Sequence, residues 1–401
     1  MNFLFVCGGT AGHINPALAI ANRLRQQLPD AKIVFIGSGR DHEKRLIPKA
    51  GFELRNIRMS GLSRKLSPEG MIHNIKTVRN VAAAGNEAVR ILNELKPDVV
   101  IGTGGYICYP VLSKASQMRI PTVIHESNAI PGLTSKLLSA SVTKMLVSFP
   151  GLEKQYRKPE RVVFTGTPVR MEFIDPSDSC TFCNTAGPDI GITDIITGRD
   201  SNNMAKATAQ NKDRRASVVS FWGSLGADKM NDLMADFIKR NAKENLFDHI
   251  HATGKNSEAL FSKLEQSGLS DNLPEWIDIR EYIDDMPIVM RTSDVVLCRA
   301  GASTVAELTV MGKPAILVPS PYVTHNHQEE NAKQLSIAGG AIVVREKSCT
   351  GDMLFEIVCT LLEDRDNLKR MAYAQKSIAA PEAAEKICGI IISLAKDGES
   401  K

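Results

Sequence analysis

Six consecutive residues, Gly8-Gly9-Thr10-Ala11-Gly12-His13, join a loop that can turn sharply to an imidazole, a group that titrates near neutrality. Glycines between an apolar run and a helical pattern leave backbone N–H groups free to face an anion, and a histidine ending such a loop can act as a general base. A histidine bonding only to nearby backbone is the plainer alternative. The same grammar returns at Gly223-Ser224-Leu225-Gly226, after Val218-Val219-Ser220-Phe221. Two such loops predict two nucleotide-type domains facing one cleft. Neither loop has dinucleotide spacing, and no G-x-x-x-x-G-K is present, so a different nucleotide ligand is expected.

Four further segments could join this chemistry. In Cys298-Arg299-Ala300-Gly301-Ala302-Ser303-Thr304-Val305-Ala306-Glu307, small and hydroxylated residues stand where a helix begins, so its amides and dipole could meet a diphosphate. Thr304 and Glu307 also spell a capping box, while a carboxylate that binds a ribose diol would occupy the same place. The polar loop His325-Asn326-His327-Gln328-Glu329-Glu330-Asn331 could read sugar hydroxyls. Gly102-Thr103-Gly104-Gly105-Tyr106 and His125-Glu126-Ser127-Asn128 should meet His13 at one sheet edge and line an acceptor pocket. A turn at Gly104 and Gly105, with His125 and Glu126 in structural roles, is the simpler account of those two. No metal site is expected. His325 and His327 have the wrong spacing for a helical zinc pair, Cys180-x-x-Cys183 lacks a second pair, and Asp364-Arg365-Asp366 falls on a solvated helical pattern.

The elements that must hold these residues alternate strand and helix. In the first half the strand-like runs are Phe3 to Cys7, Ile33 to Ile36, Val99 to Gly102, Thr122 to His125, Lys144 to Ser148 and Val162 to Phe164, the rhythm of a doubly wound parallel sheet. Asn15 is expected to cap the first helix with Pro16 in its first turn, which places His13 in the loop before it. Residues 175–215 turn polar and aperiodic, as a linker or insertion would. Alternation resumes with Ser217 to Phe221, Val295 to Cys298, a helix from about Thr304 to Met311, Ala315 to Pro319 and Ala341 to Val344.

At 401 residues the chain suits two domains, and a net charge of +4, from 49 basic and 45 acidic residues, is too balanced for a nucleic-acid binder. Eight scattered cysteines fit a reducing cytosol. The N-terminus reads as a first strand and not a signal peptide, and no apolar run approaches the ~20 residues needed to span a bilayer. Between 55 and 90, Arg55, Arg58, Arg64, Lys65, Lys76, Arg79 and Arg90 mix with Leu62, Leu66, Met71, Ile72, Ile75 and Val78, a face that could rest on anionic lipid or simply pack as core.

Together these residues closely resemble the MurG family, the peptidoglycan glycosyltransferases that move N-acetylglucosamine from UDP to undecaprenyl-pyrophosphoryl N-acetylmuramyl pentapeptide. The likeness rests on GGTAGHINPALAIA at 8–21, SGL at 60–62, KPDVVIGTGGY at 96–106, PTVIHESNAIPGLTSK at 121–136, TPVR at 167–170, GSLGA at 223–227, EYIDDM at 281–286, CRAGASTVAEL at 298–308 and HNHQEENA at 325–332. It implies an α/β chain of GT-B type, two Rossmann-like doubly wound domains facing a central cleft. The expected divisions are 1–167 for the acceptor and membrane-facing domain, 168–216 for a linker with the insertion, 217–375 for the UDP-sugar domain, and 376–401 for a helix returning to the first domain.

By matching position the resemblance implies His13 as general base, with Thr10, Ala11 and Gly12 beside sugar or phosphate. Asn128, Arg170 and Ser224 fall on donor positions, and Ile283 on the backbone that reads uracil. Ala302, Ser303, Thr304, Val305, Ala306 and Glu307 would hold the diphosphate and ribose, and Gln328 the N-acetylglucosamine hydroxyls. Tyr106, His125 and Glu126 would line the acceptor side. The family likeness also implies an inverting reaction without metal or other cofactor, UDP-N-acetylglucosamine and the lipid-linked muramyl pentapeptide as substrates, peripheral attachment to the cytoplasmic face of the membrane, and contacts with other cell-wall synthesis proteins. A transferase with another acceptor and a UDP-N-acetylglucosamine epimerase are the rival readings. Two departures stand out: Trp222 replaces the glycine that usually opens the third loop, and 175–215 replaces a short Leu-containing connection.

Overall fold

The computed structural model describes the chain except residues 58, 60–67, 175–213, 224–225, 270–271 and 400–401, and the side chains of 68–79, 324 and 399. The SGL motif, Cys180 and Cys183, Ser224, and much of the basic stretch expected at a lipid surface therefore lie outside the described residues.

The chain divides into two compact units, residues 1–170 with 380–401, and residues 171–379. In the first, the parallel strands β1 (Asn2–Cys7), β2 (Lys32–Gly37), β3 (Glu53–Asn56), β4 (Val99–Gly104), β5 (Thr122–Glu126), β6 (Lys144–Val147) and β7 (Val162–Phe164) lie in the order β3-β2-β1-β4-β5-β6-β7. Alternate residues of β1 enter different cores. Leu4 and Val6 join one with Val34, Val100 and Ile124, whereas Phe3, Phe5 and Cys7 join another with Ile14, Phe35 and Ile101. A strand buried on both faces reads as a continuous apolar run, which is why the sequence signals β1 so strongly. The helices are α1 (Ala11–Gln27), α2 (Asp41–Lys49), α3 (Pro68–Leu95), α4 (Cys108–Gln117) and α5 (Leu133–Leu138).

In the second unit α6 (Met171–Ile174) precedes β8 (Ser217–Phe221), α7 (Asp228–Glu244), β9 (Asp248–Ala252), α8 (Glu258–Glu265), β10 (Ile277–Arg280) and α9 (Met286–Thr292). There follow β11 (Val295–Cys298), α10 (Ala302–Met311), β12 (Ala315–Leu317), α11 (His327–Ala338), β13 (Ala341–Val343), α12 (Gly351–Glu363) and α13 (Arg365–Ser377). Its sheet runs β10-β9-β8-β11-β12-β13. The last helix, α14 (Ala383–Glu399), belongs to the first unit, where Ile387, Cys388 and Ile391 are buried and Glu385 pairs with Arg23 of α1.

Three strands escape the sequence reading. β3 and β10 are short edge strands, and β9 carries two histidines in its middle. Burial of His249 and His251 is met on one side by Ser220 of β8, whose hydroxyl lies 2.8 Å from His249 Nε2 and 2.7 Å from His251 Nδ1. Burial lowers the pKa of both rings, that of His251 to about 3, and keeps them neutral.

The start of α1 differs from the expected one. Thr10 is the extended residue that caps it, the helix begins at Ala11, and Pro16 stands inside it. His13 is thus a first-turn helical residue and not a loop residue. The reason is packing, because Ile14, Ala17, Leu18, Ala21 and Leu24 form one buried stripe that draws the helix forward past Asn15.

Candidate active site

In both sheets the strand order reverses beside the first strand, between β1 and β4 and between β8 and β11. Ligands of open parallel sheets gather beyond the carboxyl ends of strands at such points. Of the six segments singled out in the sequence, the four after β1, β4, β8 and β11 leave those ends.

In the first unit, Gly9 turns with φ +97° into α1. Contrary to the expectation of free amides facing an anion, its N–H donates to Glu43 Oε1 at 2.8 Å, and the Gly8 amide donates to the Gly104 carbonyl at 3.2 Å. Thr103 Oγ1 donates to the His13 carbonyl at 2.7 Å and ties the first turn of α1 to β4. Gly104 adopts φ +119°, and a Cβ there would lie 2.3 Å from His13 Nδ1. A Cβ at Gly105 would likewise meet the Gly8 carbonyl oxygen at 2.4 Å. The two glycines therefore do more than turn the chain, since their bare backbones seat the half-buried imidazole and the first loop. Tyr106 is 40% exposed beside them. The neighbouring thiols are not nucleophiles: burial pushes Cys7 well up and Cys108 to about 12.

His125 and Glu126 are buried and fasten backbone without bonding each other. His125 Nε2 lies 2.9 Å from the Gly166 carbonyl oxygen, and burial lowers its pKa. Glu126 accepts from Asn128 N at 3.1 Å, Asn128 Nδ2 at 3.0 Å and Gly132 N at 2.9 Å. Its carboxylate thereby shapes the loop that presents Asn128. Arg170 ends the first unit, half-buried.

In the second unit, α10 begins at Ala302, two residues before the expected start, with Gly301 as its cap and no side-chain bond at that cap. The capping box is therefore not formed. Thr304 already lies within the first turn, so its hydroxyl cannot serve the helix start, and Ala302, Ser303, Thr304, Ala306 and Glu307 stay half-exposed while Val305 turns into the core. Asn331 Nδ2 steadies the preceding loop by donating to the Ala300 carbonyl at 3.1 Å. The expected polar loop 325–331 is only a tight bend, His325 and Asn326 having positive φ, before α11 starts at His327. Glu329 and Glu330 in that first turn favour a helix start. Gln328 uses Oε1 to accept from Ser320 N at 2.8 Å. Ile283 is buried beyond β10. Trp222 sinks into the core with Val218, Leu297 and Val318. Arg299, 6.0 Å above its ring, donates to the Val318 carbonyl at 2.9 Å and pairs with Glu346 at 2.7 Å.

Among the described residues, no cluster of three or more His, Cys, Asp or Glu side chains could hold a metal ion, and no helix is long and apolar enough to cross a membrane. Sequence reasoning missed Glu43 and Thr103. Thr103 sits inside a motif read only for its glycines, and a glutamate in a first helical turn passes for routine helix chemistry.

Residues 3–147 match the Glycosyltransferase family 28 N-terminal domain, and residues 217–387 match the Glycosyltransferase family 28 C-terminal domain. A protein of Acetivibrio thermocellus called UDP-N-acetylglucosamine–N-acetylmuramyl-(pentapeptide) pyrophosphoryl-undecaprenol N-acetylglucosamine transferase is 42% identical over 397 residues, covering 99% of both chains. One of the same name from Clostridioides difficile is 38% identical over 390 residues, 96% of this chain and 87% of that protein. Among solved structures, Acinetobacter baumannii MurG is 24% identical with a TM-score of 0.66, over 98% of this chain and 100% of that one. A putative UDP-N-acetylglucosamine 2-epimerase from Listeria monocytogenes is 13% identical with a TM-score of 0.68, over 99% and 97%. At those identities the structures establish the fold, the GT-B class, and the fold alone.

Proposed function

The chain belongs to glycosyltransferase family 28, and from that premise we propose that it moves N-acetylglucosamine from UDP-N-acetylglucosamine to the C4 hydroxyl of undecaprenyl-pyrophosphoryl N-acetylmuramyl pentapeptide. The observation that carries the chemistry is the His13 ring seated against Gly104 in the first turn of α1, at the switch point of the first sheet. His13 takes the proton from the acceptor hydroxyl as its oxygen bonds to the anomeric carbon. The bond to UDP breaks on the opposite face, so configuration inverts. Charge on the departing diphosphate is met by the first-turn amides of α10 and its positive dipole end, which substitute for a divalent cation. Glu307 holds the ribose diol, the backbone at Ile283 reads uracil and Gln328 orients the transferred sugar. The acceptor's lipid and the basic sequence between 55 and 90 support peripheral attachment to the cytoplasmic face of the membrane.

A transfer assay with UDP-N-acetylglucosamine and the lipid-linked muramyl acceptor tests this. His13→Ala should lose about 10²- to 10⁴-fold in kcat while donor affinity holds. Full activity in that variant would remove His13 as the base. Activity abolished by chelator would refute the metal-free leaving-group step, and donor turnover without acceptor would point to an epimerase.

A further inference from the structure

Beneath the first glycine loop lies a carboxylate that the proposed reaction does not use. Glu43, fully buried in the first turn of α2, accepts four bonds: from Gly9 N at 2.8 Å and Ser38 Oγ at 2.7 Å on Oε1, and from Gly39 N at 2.7 Å and Arg40 N at 3.1 Å on Oε2. Both oxygens are thus occupied, and each partner is a donor. Two glycines make room for the group. A Cβ at Gly8 would lie 3.1 Å from Oε1, and one at Gly37 would lie 2.7 Å from Oε2. The first glycine of the motif thus admits a buried acid instead of a phosphate. Three of the four bonds stay on the β2–α2 side, and the fourth crosses to Gly9, the residue next to the cap of α1. Thr103 and Gly104 hold the far side of the same turn.

We propose that Glu43 is the positioning residue of the first glycine loop, fixing Gly9 and through it the first turn of α1, so that His13 is presented to the acceptor hydroxyl. This rests on the reading of His13 as base. Without Glu43 the loop keeps its sequence and its glycines but loses the carboxylate that holds the Gly9 amide.

Glu43→Gln keeps the volume but turns an NH₂ toward N–H or O–H donors on one side. Amide exchange over the peptides containing Gly9 and Gly39 should quicken at least about tenfold, as expected when a buried acceptor is lost. Per donor-binding site, kcat should fall about ten- to a hundredfold, with KM for UDP-N-acetylglucosamine within about twofold, because misplacing a catalytic group costs rate more than binding. A merely structural role would reduce the number of donor-binding sites and leave kcat per site unchanged. Unchanged exchange, or faster exchange with full kcat per site, overturns the proposal. Should Glu43→Gln not fold, Glu43→Asp keeps the charge but draws the carboxylate back by one methylene from Gly9 N, and unchanged Gly9 exchange there is equally fatal. A slowed Glu43→Gln beside a fully active His13→Ala would instead overturn the base assignment and leave the loop's role standing. An inactive His13→Ala beside a fully active Glu43→Gln would do the reverse.

Discussion

In the first unit the loop after β1 rests on directional polar bonds from Glu43 and the Gly104 carbonyl, whereas in the second the loop after β8 follows a tryptophan packed among aliphatic side chains. Glycine grammar that looks the same in sequence is therefore supported by unlike physics. Hydrogen bonds fix where an atom sits but contribute little net stability, while a buried aromatic contributes stability with less control over direction. The first loop should be the more sensitive in rate, and the second in folding.

The largest expected effect that would sharpen this contrast is at Trp222. Trp222→Ala should destabilise the second unit by about 3–5 kcal/mol through the cavity it leaves. Ser38→Ala, which trims one bond to Glu43, should cost only about 1 kcal/mol. Denaturant unfolding measures both, and equal losses would break the comparison.

Next comes the ion pair beside that ring. Arg299→Met leaves Glu346 buried with only the partly exposed Lys229 at 3.8 Å, and should cost about 3 kcal/mol. Adding Glu346→Leu should recover a good part of it, since replacing both partners removes the stranded charge. A double-mutant cycle showing no coupling would mean that the pair does not support the β8 and β11 loops.

The smallest effect is acid sensitivity. His249 and His251 of the second unit have folded pKa values below the ordinary imidazole range, so the unfolded chain binds protons that the folded unit refuses. Their contribution is whole above about pH 6.5, declines as pH falls below it, and is exhausted only as pH passes the folded values, about 3 for His251. The first unit buries only His125 in this way among its described residues, so its slope from histidine should be shallower. Hydrogen exchange resolved by unit, at pH 7 and pH 5, checks this, and His249→Asn with an unchanged slope would contradict it.

Much of the architecture was legible because parallel strands buried on both faces are largely apolar, as β1 and β11 are and as β8 is apart from Ser217 and Ser220. β9 was not, because its histidines become tolerable only when Ser220 stands on the neighbouring strand. Within the site, the four glycine and helix-start loops were found by composition alone. Helix boundaries were less readable. α1 and α11 begin where tertiary burial and first-turn charge favour them, and α10 begins ahead of the Thr304 and Glu307 pair that could have capped it.

The order of residues by itself determined two parallel α/β units and marked His13 as a candidate base, since apolar periodicity and side-chain chemistry are local properties. Only the tertiary structure decided which amides of the first loop are already spent. That depends on Glu43 and Gly104, 34 and 95 residues away from Gly9 along the chain, and on where the folded sheet brings them.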